Sequence, residues 1–126
     1  MVQVDISQLS GECSTWRETL RNYREEFNNN EARLRKAAGQ SLSKEQLHDV
    51  EHLHNQFHIQ LINIHDLKQA IKVHDRKINF EKSVFNGMAN EDSQARHEEL
   101  QDAYQLLEQT LADLRVEFKS FLERTP

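Results

Sequence analysis

A seven-residue repeat of large apolar residues runs through the middle of the chain. The repeat occupies six successive positions, which are Val50, Phe57, Ile64, Ile71, Ile78 and Phe85. No Gly or Pro occurs between residues 43 and 86, so no residue in this stretch breaks a helix. A strict heptad of this kind is typical of one long helix that packs a single side against partner helices. With a rise of about 1.5 Å per residue, that helix is roughly 60 Å long, more than one small globular core needs.

The composition of the whole chain favours the same architecture. The chain has 126 residues, which fits a single domain over residues 1–126, and it contains only 3 Gly and 1 Pro. A β-sandwich or a doubly wound sheet needs many more turn residues and β-branched runs. Aromatic residues such as Trp16, Tyr23 and Phe118 fall on helical stripes, which argues against a disordered chain. The sequence therefore predicts an all-α protein.

Capping and turn signals divide the chain into three helices. Ser43 and Gln46 have the spacing of a capping box at the start of the central helix. Gly39 and Gly87 stand where the first and second helices are expected to end, and Asn90 is placed to begin the third. The predicted helices span about 7–38, 43–86 and 90–124.

Short connections and complementary charges predict how the helices are arranged. Because only a few residues separate consecutive helices, these are expected to be antiparallel neighbours. Antiparallel packing also sets the basic end of the first helix beside the acidic start of the second, and the basic end of the second beside the acidic start of the third. We therefore expect an elongated, antiparallel, up-down-up three-helix bundle that is coiled-coil-like and has a long central helix.

A second set of apolar residues lies on the side of the central helix that faces away from the heptad. On a helical wheel, Ile59, Ile62 and Val73 point nearly opposite to Phe57. Isolated apolar residues are ordinary on protein surfaces, but three on one central face favour burial by a partner. We expect a homodimer, or the binding of another helical protein, through a contact surface formed by Ile59, Ile62, Val73 and His52.

Histidines are concentrated in the central helix, which carries six of the seven in the chain. His48 with His52, and His54 with His58, are four residues apart, a spacing that allows both members of a pair to bind one metal ion. A zinc site needs three or four protein ligands, however, and the first helix has no histidine. Metal binding by these four residues is therefore the alternative hypothesis. A pH-responsive assembly is a related one, because histidine gains charge between about pH 8 and pH 5.

Polar residues flank the heptad in the second half of the central helix. Lys68, Asp75 and Glu81 occupy such positions, and so does His74. Polar residues beside an apolar repeat can set the register of the helices at a cost in stability. For Lys68, Asp75 and Glu81 we expect instead that this end of the helix is more exposed to solvent.

No feature of the sequence predicts catalysis. Cys13 falls on the apolar stripe of Trp16 and Leu20, as expected of a small core residue rather than a nucleophile. The Ser, His and Asp residues lie on long helices, and no Gly-rich phosphate loop or nucleophile elbow positions them. We therefore predict a protein that is not an enzyme and has no cofactor.

Charge and hydropathy narrow the choice of partners. The net charge of −5 disfavours nucleic acid, which binds to basic surfaces. No run approaches the ~18 apolar residues of a membrane span, and no signal peptide is recognisable. The single cysteine suits a reducing compartment, so a cytoplasmic protein is expected. The leading prediction is an interaction or scaffold module that associates with itself through the second face of the central helix.

Overall fold

The computed structural model describes residues 5–84 and 86–124, and within them the chain forms three helices. Helix α1 spans Ile6–Ala38, α2 spans Lys44–Val84 and α3 spans Glu91–Arg124. These bounds lie within two residues of the predicted ones. Phe85, the last residue of the heptad, lies outside the described residues. Among the described helices, none has a stretch long and apolar enough to cross a membrane.

The helices form an antiparallel three-helix bundle in which α2 packs against both α1 and α3. His52 near the start of α2 contacts Glu117 near the end of α3, and Glu81 near the end of α2 contacts Ser93 near the start of α3. The two helices therefore run in opposite directions. The contacts of α2 with α1 run in the same reversed order. The predicted all-α, up-down-up bundle with a long central helix is confirmed.

The heptad of α2 forms the centre of the core. Phe57, Ile64, Ile71 and Ile78 have no exposed surface, and Val50 is partly buried against the same core. Helices α1 and α3 meet the heptad with their own apolar stripes, whose most buried members include Leu20, Phe27, Leu34, Leu111, Phe118 and Phe121. Burial of one stripe from each helix explains the bundle, because an amphipathic helix is stable in water only when its apolar side is covered.

The ion pairs between helices differ from those that the charge pattern predicts. Arg115 of α3 contacts Glu26 of α1 at 2.7 Å, and Arg124 of α3 contacts Asp49 of α2 at 3.6 Å. Both pairs lie at exposed or half-exposed positions, where an ion pair contributes only ~0–1 kcal/mol. Apolar packing therefore determines the antiparallel arrangement more than these charges do.

Side-chain caps begin the first two helices. At the start of α2, the Ser43 N–H donates to Gln46 Oε1 at 2.8 Å, and the Gln46 N–H donates to Ser43 Oγ at 3.1 Å. This reciprocal pair is the capping box predicted from the sequence. Helix α1 begins one residue earlier than expected, because the Asp5 carboxylate accepts a hydrogen bond from the Ser7 N–H at 2.8 Å.

Removing the cap of α2 is expected to destabilise the protein measurably. Ser43→Ala leaves the Gln46 N–H without its side-chain acceptor, and loss of such a cap costs about 1 kcal/mol, within a range of roughly 0.5–2 kcal/mol. Urea unfolding followed by circular dichroism measures the change. Ser41→Ala, at an exposed position two residues earlier, is the matched control. Equal losses in the two variants would contradict the capping role.

The turn between α2 and α3 requires a left-handed backbone. Gly87 has a φ of 84° and Asn86 a φ of 53°, a region that Gly and Asn adopt more readily than other residues. The Gly87 carbonyl accepts a hydrogen bond from the Ile6 N–H at 2.9 Å, which joins this turn to the start of α1. Gly39, by contrast, follows α1 with a φ of −76°, which any residue can adopt.

The burial of Glu81 contradicts the expectation that this residue, near the far end of α2, is exposed to solvent. The Glu81 side chain is buried, and its carboxylate accepts the single Ser93 O–H, whose Oγ lies 2.7 Å from Oε1 and 2.8 Å from Oε2. Asn90 Nδ2 also donates to Oε1 at 3.0 Å. Asn90 also caps α3, because its Oδ1 accepts from the Ser93 N–H at 2.8 Å. The first turn of α3 therefore covers Glu81, whereas Lys68 and Asp75 are half-buried.

Candidate functional site

A group of polar side chains lies inside the bundle, at the level where all three helices meet. Cys13 comes from α1, His74 from α2 and His97 from α3, and all three are buried. One ligand-type atom from each residue lies within 4.8 Å of the corresponding atoms of the other two. Among the described residues, this is the group of three His, Cys, Asp or Glu side chains that lie close enough together to hold one metal ion. We refer to Cys13, His74 and His97 as the core triad.

A chain of hydrogen bonds runs from the edge of the bundle into the core triad. The side chain of Glu12 lies 3.0 Å from His97 Nε2, and His97 Nδ1 lies 3.1 Å from His74 Nε2. A carboxylate only accepts, so His97 Nε2 carries the proton that is donated to Glu12. The contact between the two rings uses Nε2 of His74. Nδ1 is therefore the ring nitrogen of His74 that this chain of hydrogen bonds does not include.

Nδ1 of His74 has no hydrogen-bond partner among the residues that the structure describes. Within the described residues, His74 Nδ1 is the buried side-chain nitrogen or oxygen atom that makes no hydrogen bond, and the residue is only 3% exposed. Burial first, and then the neighbouring His97 and Arg96, lowers the pKa of His74 from 6.5 to about 4. The imidazole is therefore neutral at neutral pH. An unpartnered buried polar atom costs about 1–3 kcal/mol, so the presence of His74 in the core needs an explanation.

Cys13 completes the core triad as a protonated thiol. It has no exposed surface, in agreement with the prediction of a core residue. Burial, and then the negative charges of Asp75 and Glu12, raise the pKa of Cys13 from 9.0 to about 12. A thiol in this state is a poor nucleophile, because the thiolate is the reactive form. The site as it stands therefore offers ligand atoms rather than an activated nucleophile.

Aromatic rings cover one side of the core triad. The Trp16 ring lies with its centroid 4.7 Å from that of His97 and 5.7 Å from that of Tyr104. Trp16 is one helical turn from Cys13 on α1, and Tyr104 is two turns from His97 on α3. The same apolar stripes that form the bundle thus exclude water from this side of the core triad.

The predicted partner-binding residues are on the outside of the bundle. Ile59, Ile62 and Val73 are 45%, 47% and 65% exposed, and His52 is also exposed. His52 Nε2 lies 3.2 Å from Glu117 Oε2 of α3. We call the face that carries Ile59, Ile62, Val73 and His52 the outer face of α2. Further large apolar residues that are exposed are Leu47, Phe80, Val84, Leu106 and Val116.

The histidines proposed as metal ligands are dispersed over the exterior of α2. His48, His52, His54 and His58 are all exposed, and none belongs to the core triad. Each pair still has the four-residue spacing of a chelate, so weak binding by the pairs stays a prediction. The structure brings together a different set of ligand types, from three helices instead of one.

The sequence carried only a faint signal for the core triad. Cys13 lies on an apolar stripe and His74 flanks the heptad, but 61 residues separate them. His97 opens the third helix and was not assigned a role. The sequence indicates where each of these polar residues lies on its own helix. It does not indicate that the three residues lie at the same height along the bundle. No protein family, curated protein or solved structure matches the chain significantly.

Proposed function

We propose that this protein is a non-enzymatic interaction module that associates with itself through the outer face of α2. The observation that carries this proposal is the exposure of Ile59, Ile62 and Val73 on a helix whose opposite side is fully buried. None of the three belongs to the buried core of the bundle, and about half or more of the surface of Ile62 and Val73 is left for a partner to cover.

Burial of these side chains would contribute a driving force for association. Complete burial of one Val, Leu or Ile side chain contributes about 1.5–3 kcal/mol. Each of the three side chains is already partly covered, so the free energy gained per residue on dimerisation is smaller than this value. The same residues of both copies contribute, however. In a symmetric dimer the same surface meets itself, which doubles the contribution of every residue on the outer face.

The distribution of charge along α2 favours an antiparallel pairing with a second copy. The exposed acidic residues Glu45 and Glu51 lie near the start of the helix, whereas the exposed basic residues Arg76, Lys77 and Lys82 lie near its end. Antiparallel pairing sets the acidic end of one copy beside the basic end of the other, and parallel pairing would set like charges together. These charges select orientation more than affinity.

A charge at the centre of the outer face is expected to dissociate the dimer. Ile62→Glu places a carboxylate beside its symmetry mate in an apolar contact, and burying an unpaired charge is strongly unfavourable. We expect the wild type to sediment as a dimer at high micromolar concentration and Ile62→Glu to sediment as a monomer. Analytical ultracentrifugation measures both. Val116→Glu is the matched control, because Val116 is equally apolar and 67% exposed but lies on α3.

Two results would contradict the proposal. The first is a wild-type protein that stays monomeric at high micromolar concentration. The second is an Ile62→Glu variant that remains dimeric, which would place the interface elsewhere. Sedimentation at about pH 8 and about pH 5.5 also tests the pH-responsive alternative, because protonated His48 and His52 would repel across the same face. Equal dimer fractions at the two pH values would exclude that alternative.

A further inference from the structure

The core triad has the composition and spacing of a transition-metal site. We propose that Cys13, His74 and His97 bind one zinc ion, which joins the three helices from inside the bundle. One thiolate and two imidazoles are ligands that zinc prefers, and each comes from a different helix. The site lies within a single copy of the chain, so it does not depend on the self-association proposed above.

The distances need little adjustment to accept the ion. Two nitrogens bound to one tetrahedral zinc at about 2.0–2.1 Å lie roughly 3.3 Å apart. His74 Nε2 and His97 Nδ1 already lie 3.1 Å apart. A zinc-bound sulfur and nitrogen lie roughly 3.6 Å apart, so atoms within 4.8 Å of each other need to approach by roughly 1.2 Å at most. A shift of this size is within the reach of side-chain rotation.

Glu12 orients His97 as a metal ligand. Histidines that bind zinc generally donate their second N–H to a carboxylate, a backbone carbonyl or water, which fixes the tautomer of the ring. The contact of His97 Nε2 with Glu12 at 3.0 Å leaves Nδ1 as the ligand atom, and Nδ1 is the nitrogen that faces His74. The side chain of Glu12 is 36% exposed whereas that of His97 is 5% exposed. Glu12 therefore lies on the solvent side of the site, where an ion can enter.

The burial of His74 is a second observation. An apolar core residue at this position would avoid the cost of the buried Nδ1 that makes no hydrogen bond. Zinc bound through Nε2 offsets this cost with a metal–nitrogen bond, which gives the buried imidazole a role in the core. On binding, the hydrogen bond between the two rings is replaced by two metal–nitrogen bonds. His74 keeps its single proton on the ring nitrogen that faces away from the ion.

The coordination is balanced by the release of one proton. Cys13 binds as a thiolate, so its thiol proton passes to solvent as the zinc–sulfur bond forms. Three protein ligands leave a fourth tetrahedral position, which a water molecule fills.

Cobalt titration of untagged, reduced protein tests the site directly. We expect Co²⁺ to bind at one equivalent, with the intense visible bands of a tetrahedral ion and a thiolate-to-cobalt charge-transfer band in the near ultraviolet. Zn²⁺ should displace both signals. With free Zn²⁺ at about 100 times its Kd, the Tm should rise by roughly 10 °C, and a chelator should reverse the rise.

Three variants assign the signals to residues. Cys13→Ser should abolish the charge-transfer band, and His74→Leu should weaken cobalt binding at least ten-fold while the helical circular dichroism is retained. A His48→Gln, His52→Gln double variant is the control and should titrate as the wild type does.

Absence of cobalt bands in folded wild-type protein would overturn the proposal, as would a charge-transfer band that survives Cys13→Ser. Signals that are lost only in the His48→Gln, His52→Gln variant would overturn it in favour of the exposed histidine pairs. None of these outcomes depends on whether the protein is a monomer or a dimer.

Discussion

Replacement of Phe57 by Ala is expected to lower the free energy of unfolding by about 3–5 kcal/mol. Phe57 has no exposed surface and stands at the centre of the heptad. Its ring centroid lies 5.8 Å from that of Phe27 on α1 and 5.2 Å from that of Phe118 on α3, the latter edge to face. Truncation removes contacts with both neighbouring helices and leaves a cavity that straight helices cannot close.

Urea unfolding at a fixed protein concentration measures this loss, because the stability of an associating protein depends on concentration. Phe80→Ala is the matched control: Phe80 is on the same helix but 71% exposed, so its truncation should change the stability by no more than about 0.5 kcal/mol. Losses of similar size in the two variants would show that the heptad of α2 does not form the core described above.

Replacement of Glu81 by Ala is expected to cost about 2–3 kcal/mol. Glu81 is 5% exposed, and its carboxylate accepts hydrogen bonds from Ser93 and Asn90. Without the carboxylate, the buried hydroxyl of Ser93 loses its acceptor. The variant also loses a negative charge at the first turn of α3, where the helix dipole favours one.

Thermal and urea unfolding measure this effect beside two controls. Glu98→Ala removes a carboxylate from an exposed position on α3 and should change the stability by about 0.5 kcal/mol or less. Glu81→Gln keeps the shape and one acceptor, and should fall between the wild type and Glu81→Ala. If Glu81→Ala is as stable as Glu98→Ala, the contact between Glu81 and the start of α3 contributes nothing to the fold.

The architecture was predictable because its signals are local. The heptad identified the buried side of α2, and Ser43 with Gln46 identified where that helix begins. Both signals involve residues within a few turns of each other, whose relative positions depend only on helix geometry. For the same reason, the wheel placed Ile59, Ile62 and Val73 on one outward face.

The buried polar contacts were not predictable, because they depend on register between helices. His74 and Glu81 were interpreted from their own helix, where each is simply a polar residue beside the heptad. Their partners are His97 and Ser93, which belong to α3. A shift of α3 along α2 by one helical turn, about 5.4 Å, would preserve the apolar pattern and yet break both contacts.

The amino-acid sequence by itself determined which segments are helices, where they begin and end, and which side of each is buried. These properties follow from the spacing of apolar residues and from capping contacts over a few residues. Only the tertiary structure decided which polar residues meet across the core, because meeting requires a particular axial alignment of three helices. Cys13, His74 and His97 are adjacent in space for that reason alone, and only in that alignment is Nδ1 of His74 buried without a hydrogen bond.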